Sequence, residues 1–235
     1  MSRRRRSASS RRWLERQARD PWVRRARAEG FRARSVYKLE EMDRRFRLLR
    51  RGARVLDIGA APGSWSQYAA RRGCRVVAVD RLEMAPVEGV RFVRGDVRDP
   101  ALWRRLRAEL GGPAEVVLSD LAPDAIGDRV TDRLRAEAVA EEILALLPEV
   151  LAPGGLLVLK LVAGAEAAIR PLAAARFARV RFVRPRATRA ESSELYLVCE
   201  DYRPQAAGDA TPPASGTGAG STGASSPSAS RAPRS

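Results

Sequence analysis

Two lysines stand out among the basic residues of this sequence. Of its 44 Lys and Arg residues, Lys38 and Lys160 are the only lysines, and the sequence contains no histidine. An arginine keeps its proton in a protein, whereas the pKa of a buried lysine among other charges can fall far enough for the amine to act as a base. The lysines are therefore candidates for acid-base chemistry. The alternative is that an arginine-rich composition alone explains the count.

Aspartates at the ends of predicted strands form a second candidate group. Short runs of branched apolar residues predict strands over Val55–Ile58, Arg75–Val79, Val90–Arg94, Val116–Ser119 and Leu156–Leu161. Asp57, Asp80, Asp96 and Asp120 fall at or near the ends of the first four. Ligands of open α/β sheets bind along the edge formed by the carboxyl ends of the strands, so we expect a ligand site there.

Two of these aspartates suit parts of a nucleoside. Asp80, at the end of the second strand, is placed to accept hydrogen bonds from ribose hydroxyls. Asp96 is placed to accept from the exocyclic amine of an adenine. Its alternative role is to cap the helix predicted over 100–110, although Asp99 lies nearer the start of that helix.

The first strand ends in a loop of small residues, 59–63, with the sequence Gly-Ala-Ala-Pro-Gly. Such a loop allows the backbone to approach a ligand closely before the following helix, predicted over 66–71. Pro62 removes one backbone donor, which favours a nucleoside without phosphates over a dinucleotide. The simpler interpretation is a tight strand-to-helix turn that binds nothing.

The predicted elements place both lysines at this edge. A helix over 35–46 has Val36, Leu39 and Phe46 on its apolar face, with Lys38 off that face. Lys160 interrupts an otherwise apolar strand, which is costly unless its charge is paired. We therefore expect Lys160 at the end of the strand, near Asp120. A long helix over 133–151 precedes this strand, and the runs 182–183 and 195–199 predict an antiparallel closing pair.

The net charge of +16 is concentrated near the start of the chain. Residues 1–52 hold 19 basic against 6 acidic side chains, or +13, and the remainder holds 25 against 22, or +3. Such an excess favours a polyanionic partner, whose phosphates the arginines would neutralise. Trp13, Trp22, Phe31 and Tyr37 lie among these arginines and either stack on bases or pin the segment to the core. A solvated basic arm and a transit peptide are the alternatives.

The remaining composition limits the class of protein. Cys74 and Cys199 lie in apolar surroundings without metal-ligand spacing, so we expect buried thiols, a reducing cytoplasmic location and no metal. No apolar run has the length of a membrane span, so we expect no association with a membrane. We also expect the protein to be a monomer. Residues 203–235 are rich in Ala, Gly, Ser and Pro, which predicts a disordered tail.

Taken together, these motifs resemble the FtsJ family of ribosomal RNA 2′-O-ribose methyltransferases. The resemblance runs from about residue 6 to residue 198. It is carried by Lys160 and by the segments 6–10, 12–14, 34–39, 57–68, 95–96, 98–99, 119–123, 151–155 and 193–196. It implies a Rossmann-like α/β methyltransferase fold with a mostly parallel sheet, an antiparallel last strand and helices on both faces. We expect a basic RNA-binding arm over 1–33 and a methyltransferase domain over 34–202.

The resemblance also implies a site. A catalytic Lys-Asp-Lys-Glu tetrad falls on Lys38, Asp120, Lys160 and Glu194, which uses both lysines of the chain. The implied cofactor is S-adenosylmethionine, and its expected contacts are Gly59, Gly63, Trp65, Asp80, Asp96 and Asp120. The implied substrate is a ribose 2′-hydroxyl in 23S ribosomal RNA of the large ribosomal subunit. The resemblance therefore implies a role in rRNA processing.

A mechanism follows as a hypothesis. A ribose hydroxyl is a weak nucleophile and needs a base within hydrogen-bond reach. We expect Lys160 to be that base, with its pKa lowered by burial and by Lys38, while Asp120 holds its ammonium and Glu194 orients the site. Three other functions remain open: methylation of transfer RNA or another RNA, a non-catalytic ribosome-assembly factor, and a small-molecule methyltransferase.

Overall fold

The computed structural model describes residues 20–123 and 126–204. In this part of the chain the strands are β1 Arg54–Ile58, β2 Arg75–Asp80, β3 Val90–Arg94, β4 Ala114–Ser119, β5 Leu151–Val162, β6 Phe177–Val183 and β7 Glu194–Tyr202. They form one sheet in the order β3-β2-β1-β4-β5-β7-β6. The pairs among β1 to β5 are parallel, and β7 runs antiparallel to both β5 and β6. The predicted mostly parallel sheet with an antiparallel last strand is confirmed.

Helices cover both faces of this sheet, as expected. They are α1 Pro21–Ala28, α2 Val36–Phe46, α3 Ser64–Arg71, α4 Pro100–Leu110, α5 Arg129–Val150 and α6 Glu166–Ala174. Alternate strand residues point to opposite faces, so Val55 packs with the core beneath α2 and α3, while Leu56 packs with the core beneath α4, α5 and α6. None of the helices in the described residues has the length and apolar character needed to cross a membrane.

Two boundaries differ from the sequence prediction for local reasons. Helix α5 begins at Arg129, four residues before the predicted start, because the Asp128 carboxylate accepts a hydrogen bond from the backbone N–H of Thr131 and caps the helix. The helix ends at Val150, one residue before the predicted end, and β5 begins at Leu151, which pairs with Ala114 of β4, five residues before the predicted start of that strand. A register shift in that pair of strands absorbs the Pro-Gly-Gly segment.

The topology brings several predicted residues to one edge. Because β1 to β5 are parallel, their carboxyl ends meet there, and they carry Asp80 at the end of β2, Asp120 after β4 and Lys160 near the end of β5. The opposite direction of β7 returns its first residue, Glu194, to the same edge, paired with Val162. The fold therefore assembles side chains that lie more than a hundred residues apart in the sequence.

The predicted arm over 1–33 and tail over 203–235 lie largely outside the described residues, as does Trp13. Residues 20–33 are described, and they pack against the domain. Tyr37 is buried between Trp22 and Phe31, with ring centroids 5.1 and 6.4 Å away. Of the two roles considered for these three aromatic rings, the structure shows the one that pins the segment to the core.

Candidate active site

Four charged side chains form a continuous chain of ion pairs at the sheet edge. Lys38 Nζ lies 2.6 Å from Glu194 Oε2, and Lys160 Nζ lies 3.0 Å from Glu194 Oε1. Lys160 Nζ also lies 3.5 Å from Asp120 Oδ1. The order is thus Lys38, Glu194, Lys160, Asp120, with cations and anions alternating. The structure brings all four predicted tetrad residues together.

Strand register explains this geometry. Lys160 on β5 pairs directly with Tyr196 on β7, and Glu194 is two residues earlier on the same strand, so its side chain points to the same face. The buried Tyr196 hydroxyl donates a 2.7 Å hydrogen bond to Asp120 Oδ1. Asp120 therefore accepts from the tyrosine and pairs with the lysine through one oxygen. From α2, Lys38 reaches Glu194 on the side opposite Lys160.

The charges of the tetrad shift the pKa values of its members. Burial lowers the pKa of Lys160, but the carboxylates of Asp120 and Glu194 more than offset this, and the pKa lies above the ordinary value. The predicted lowering of the Lys160 pKa is therefore wrong for the free protein, because the two carboxylates outweigh the effect of burial. Burial would raise the pKa of Glu194, but the two lysines hold that pKa at about 2.

The loop after β1 lies beside this tetrad. Gly59 and Gly63 have φ values of 71° and 103°, which favour glycine. A Cβ at Gly59 would lie 2.7 Å from Leu121 Cβ, and one at Gly63 would lie 2.7 Å from Met84 Sδ. Both glycines are thus required by the packing of the protein around the loop.

The Asp80 carboxylate anchors this loop to the end of β2. It accepts hydrogen bonds from the backbone N–H groups of Ala61 at 2.9 Å and Leu82 at 2.8 Å. A carboxylate has about four lone-pair sites, so Asp80 can still accept from the hydroxyls of a ligand. Its position fits the predicted role.

Asp96 lies at the end of β3, with its Oδ1 accepting from the backbone N–H of Arg98. The cap of α4 is Asp99, whose side chain accepts from the backbone N–H of Ala101. The alternative in which Asp96 caps the helix is therefore wrong. Asp96 is half-buried, and its second oxygen lies 3.6 Å from Arg81 Nε.

Trp65 does not present its ring at the edge. The residue is only 2% exposed, and its indole N–H donates a 2.9 Å hydrogen bond to the Ser35 carbonyl oxygen. Its ring centroid lies 5.7 Å from that of Tyr196. The side chain joins α2, α3 and β7, so a contact of Trp65 with a ligand in the loop has to involve its backbone. The first-turn N–H groups of α3 have no partner inside the helix and suit that purpose.

Asp57 lies beneath the loop and not along its rim. It is 1% exposed, and its Oδ2 accepts a 2.5 Å hydrogen bond from the Ser66 hydroxyl. Within the described residues, its Oδ1 is buried without a hydrogen-bond partner. Burial raises the pKa of Asp57 to about 7, against the opposing effect of Ser66. The residue ties β1 to the first turn of α3.

Arg32 is a site residue that the sequence did not single out. Its guanidinium donates to the carbonyl oxygens of Pro62 at 2.9 Å, Ala85 at 2.6 Å and Pro86 at 2.5 Å. It therefore clamps the loop after β1 against the segment that follows β2. It is one of several arginines in the segment 24–34, and nothing in the sequence distinguishes it from the others.

Comparison with known proteins decides the class. The model of the FtsJ-like methyltransferase family matches residues 31–202. The chain belongs to the FtsJ-like methyltransferase family. The resemblance noted in the sequence and the expected enzyme class are thereby confirmed.

Relatives of this FtsJ-like methyltransferase support the assignment along most of the chain. The protein named Ribosomal RNA large subunit methyltransferase E from Acidiphilium cryptum is 47% identical over 200 residues, which cover 84% of this chain and 89% of the relative. Its namesake from Zymomonas mobilis is 44% identical over 206 residues, which cover 86% and 93%. A crystal structure named as a ribosomal RNA methyltransferase from Plasmodium falciparum has a TM-score of 0.66 at 26% identity, covering 73% and 98%.

Tyr196 is a second site residue of this FtsJ-like methyltransferase that sequence reasoning missed. The signal was present, because Tyr196 follows Glu194 at the spacing of one strand face. Its contact with Asp120 depends on the pairing of β5 with β7, which could not be predicted from the residue pattern. The predicted closing pair joined the runs 182–183 and 195–199, which are β6 and β7, and did not place β7 beside the strand that carries Lys160.

Proposed function

We propose that this protein transfers a methyl group from S-adenosylmethionine to a ribose 2′-hydroxyl in the 23S ribosomal RNA of the large ribosomal subunit. The observation that carries the proposal is the chain of ion pairs from Lys38 through Glu194 and Lys160 to Asp120, beside a ligand loop. The names of the close relatives support ribosomal RNA as the substrate. We further propose that the protein acts in rRNA methylation and ribosome biogenesis, in the cytoplasm and as a monomer.

The residues along the sheet edge fit the proposed cofactor. Carboxylates of Asp80 and Asp96 follow neighbouring strands and suit ribose hydroxyls and an adenine amine, respectively. Gly59, Gly63 and the first turn of α3 supply the backbone around the loop. Asp120 of the tetrad follows Ser119, which pairs with the last residue of β1 before this loop. When bound, S-adenosylmethionine supplies an electrophilic methyl group on a positively charged sulfur.

Lys160 is the proposed general base. Its raised pKa means that its amine is protonated in the free protein at neutral pH. To accept a proton from the ribose hydroxyl, the Lys160 amine first has to lose the proton that it carries. Additional positive charge at this edge of the sheet lowers the pKa of the lysine and so favours that loss. Asp120 and Glu194 then hold the amine in place, while Lys38 keeps Glu194 oriented. Positioning of the two reactants supplies much of the rate.

The basic segment at the start of the chain is the proposed RNA-binding arm. Residues 1–52 carry +13 of the net charge of +16. Arg24 and Arg27 on α1 are exposed and extend this charge along the described part of the segment. Contacts between arginines and phosphates release counterions, so binding of RNA weakens steeply as salt is raised.

A methyl-transfer assay tests the proposed function. Labelled S-adenosylmethionine is incubated with large ribosomal subunits that lack the modification, with free ribosomal RNA and with transfer RNA. The Lys160→Ala variant serves as the inactive comparison, and Glu109→Gln, which changes an exposed partner of Arg91, serves as the matched surface control. We expect label in a 2′-O-methylated nucleotide of the subunit RNA with the wild type and the control alone.

Other outcomes contradict the proposal in distinguishable ways. Label confined to transfer RNA would identify a different RNA substrate for the same chemistry. Measurable cofactor binding with no label in any RNA would indicate an assembly factor. Salt-insensitive methylation of a small molecule would indicate a small-molecule enzyme.

A further inference from the structure

The loop that joins β6 to β7, residues 184–193, connects the start of the described chain with the tetrad. Its last residue precedes Glu194, and its own backbone forms neither helix nor strand. Backbone carbonyl groups in such a segment need partners from side chains or water. Here three of them, those of Arg189, Ala190 and Ser192, are bound by a single side chain, that of Arg184.

The Arg184 guanidinium binds four backbone carbonyl groups of this region. Its Nη1 donates to the Glu194 carbonyl oxygen at 3.1 Å, and its Nη2 lies 2.6 Å from the Ser192 carbonyl oxygen. The same Nη2 lies 3.0 and 3.3 Å from the carbonyl oxygens of Arg189 and Ala190. A planar guanidinium carries five N–H donors in a fixed arrangement, which suits several acceptors around one centre.

The other side of the loop is bound by the segment that leads into α2. Arg34 donates to the Ala187 carbonyl oxygen and to the Asp20 carboxylate. The Glu41 carboxylate accepts a 2.7 Å hydrogen bond from the backbone N–H of Arg186. The loop is thus held from both sides, with Arg184 on the side of Glu194.

From this geometry we infer that Arg184 is a positioning residue for methyl transfer, which fixes the β6–β7 loop so that the Glu194 carboxylate stays between Lys38 and Lys160. The inference rests on the proposed function, since it assigns a role within the same site. Arg184 is exposed, and its guanidinium binds main-chain oxygen atoms, so it acts on the reaction through Glu194 and not on the substrate. An arginine in this position therefore differs in role from the arginines that are proposed to bind RNA.

Substitution by lysine separates this role from a charge effect. Arg184→Lys keeps the positive charge, but its donors share one nitrogen, which cannot reach the Glu194 carbonyl group bound by Nη1 together with the three carbonyl groups bound by Nη2. Arg184→Ala removes both the positive charge and the hydrogen-bond donors. Arg179→Ala is the matched control, since Arg179 is an exposed arginine of the neighbouring β6 whose partner is Glu200, away from the tetrad.

The measurements are kcat, KM for RNA, affinity for S-adenosylmethionine and the pH profile of kcat. We expect both Arg184 variants to lose about ten- to a hundredfold in kcat, as for a slight displacement of a catalytic group, with little change in cofactor affinity. Added guanidinium ion should restore part of the activity of Arg184→Ala. Arg179→Ala should match the wild type in all four.

A loss of folded protein would lower kcat without changing how kcat depends on pH. The pH profile therefore separates a displaced Glu194 from a partly unfolded protein. Lys160 is faced by Asp120 from β4 and by Glu194 from β7, while Lys38 and the Tyr196 hydroxyl contact those two carboxylates. If the Glu194 carboxylate moves away, Lys160 loses one of its two anions and its pKa falls. The rise of kcat with pH should therefore begin at a lower pH in the Arg184 variants than in the wild type.

Three results would overturn the inference while leaving the proposed function intact. They are an unchanged kcat and pH profile in folded Arg184→Ala, full activity of Arg184→Lys, and an effect confined to the KM for RNA, which would make Arg184 an RNA contact. Absence of RNA methylation by the wild type would instead contradict the proposed function itself.

Discussion

Lys160 and Glu194 lie on adjacent antiparallel strands, with the lysine Nζ 3.0 Å from the glutamate Oε1. The other oxygen of the same carboxylate is 2.6 Å from Lys38 Nζ. One carboxylate therefore holds both lysines of the chain. Removing it affects folding and chemistry together, and the two effects can be measured separately.

Glu194→Gln should lower both stability and activity. Lys38 is largely buried, and removing its anion leaves an uncompensated charge, which costs about 3 kcal/mol of the free energy of unfolding. Loss of the orientation of Lys160 should reduce kcat about a hundredfold. Urea unfolding and single-turnover methyl transfer measure the two effects. Glu109→Gln, in an exposed pair, should change stability by less than about 1 kcal/mol. Wild-type values for Glu194→Gln would contradict the assigned geometry.

Lys160→Arg should fold and bind cofactor but fail in the reaction. A guanidinium can still pair with Asp120 and Glu194, whereas it cannot release its proton to become a base. Loss of a general base reduces the rate by about a hundred- to ten-thousandfold. Rapid-quench methyl transfer measures the rate, and the melting temperature with equilibrium dialysis of S-adenosylmethionine checks that fold and binding persist. Methylation at the wild-type rate by this variant would remove Lys160 from the role of base.

Asp57→Asn should change how stability depends on pH. The pKa of Asp57 is raised from 3.8 to about 7 by burial, so the folded protein keeps a proton that the unfolded chain releases between these values. Stability should therefore fall as pH rises from about 4 to 7, by up to about 1.4 kcal/mol per pH unit, and level off above. Asparagine imitates the protonated acid, and the variant should lack this decline.

Urea unfolding of both proteins between pH 5 and pH 8 measures the difference. The absence of histidine from the chain removes the side chains that usually titrate in this range. The lowered pKa of Glu194, about 2, makes its own contribution appear only below pH 4.5, outside the range measured. Parallel stability curves for the two proteins would show that the Asp57 pKa is not raised in this way.

Arg32→Ala should weaken cofactor binding by loosening the loop after β1. The clamp on Pro62, Ala85 and Pro86 would be lost, and with it about 1 to 3 kcal/mol of charge-assisted hydrogen bonding. Isothermal titration with S-adenosylmethionine should show an affinity lower by about tenfold or more. Arg24→Ala removes the same charge from an exposed position on α1 and should leave this affinity unchanged. Equal effects of the two substitutions would mean that charge, and not the clamp, is responsible.

The parts of the site that follow from strand ends could be predicted from the sequence. Lys160 was expected near Asp120 because a charged residue in an apolar strand has to lie where it can be paired, and the structure places their charged atoms 3.5 Å apart. Asp80 and Asp96 were likewise placed by the rule that parallel strands end at a common edge.

The direction of the Lys160 pKa shift could not be predicted, because it depends on distances between side chains. Burial and two carboxylates act on this lysine with opposite signs, and only the geometry shows that the carboxylates dominate. The placement of the Trp65 side chain could not be predicted either. Its position in the loop motif is compatible with a ring at the surface and with a buried ring that donates to Ser35, and the structure shows the second. Arg32 could not be told apart from the other arginines of the segment 24–34.

The alternating charges of the tetrad determine how little this part of the protein contributes to the attraction of RNA. Lys38 and Lys160 together carry two positive charges, and Asp120 and Glu194 carry two negative ones, so the quartet sums to zero. A neutral tetrad exerts little long-range pull on a polyanion. Attraction to RNA has to arise from the arginines elsewhere in the chain. Raising the ionic strength should therefore increase KM for RNA steeply while leaving the rate of the bound complex almost unchanged.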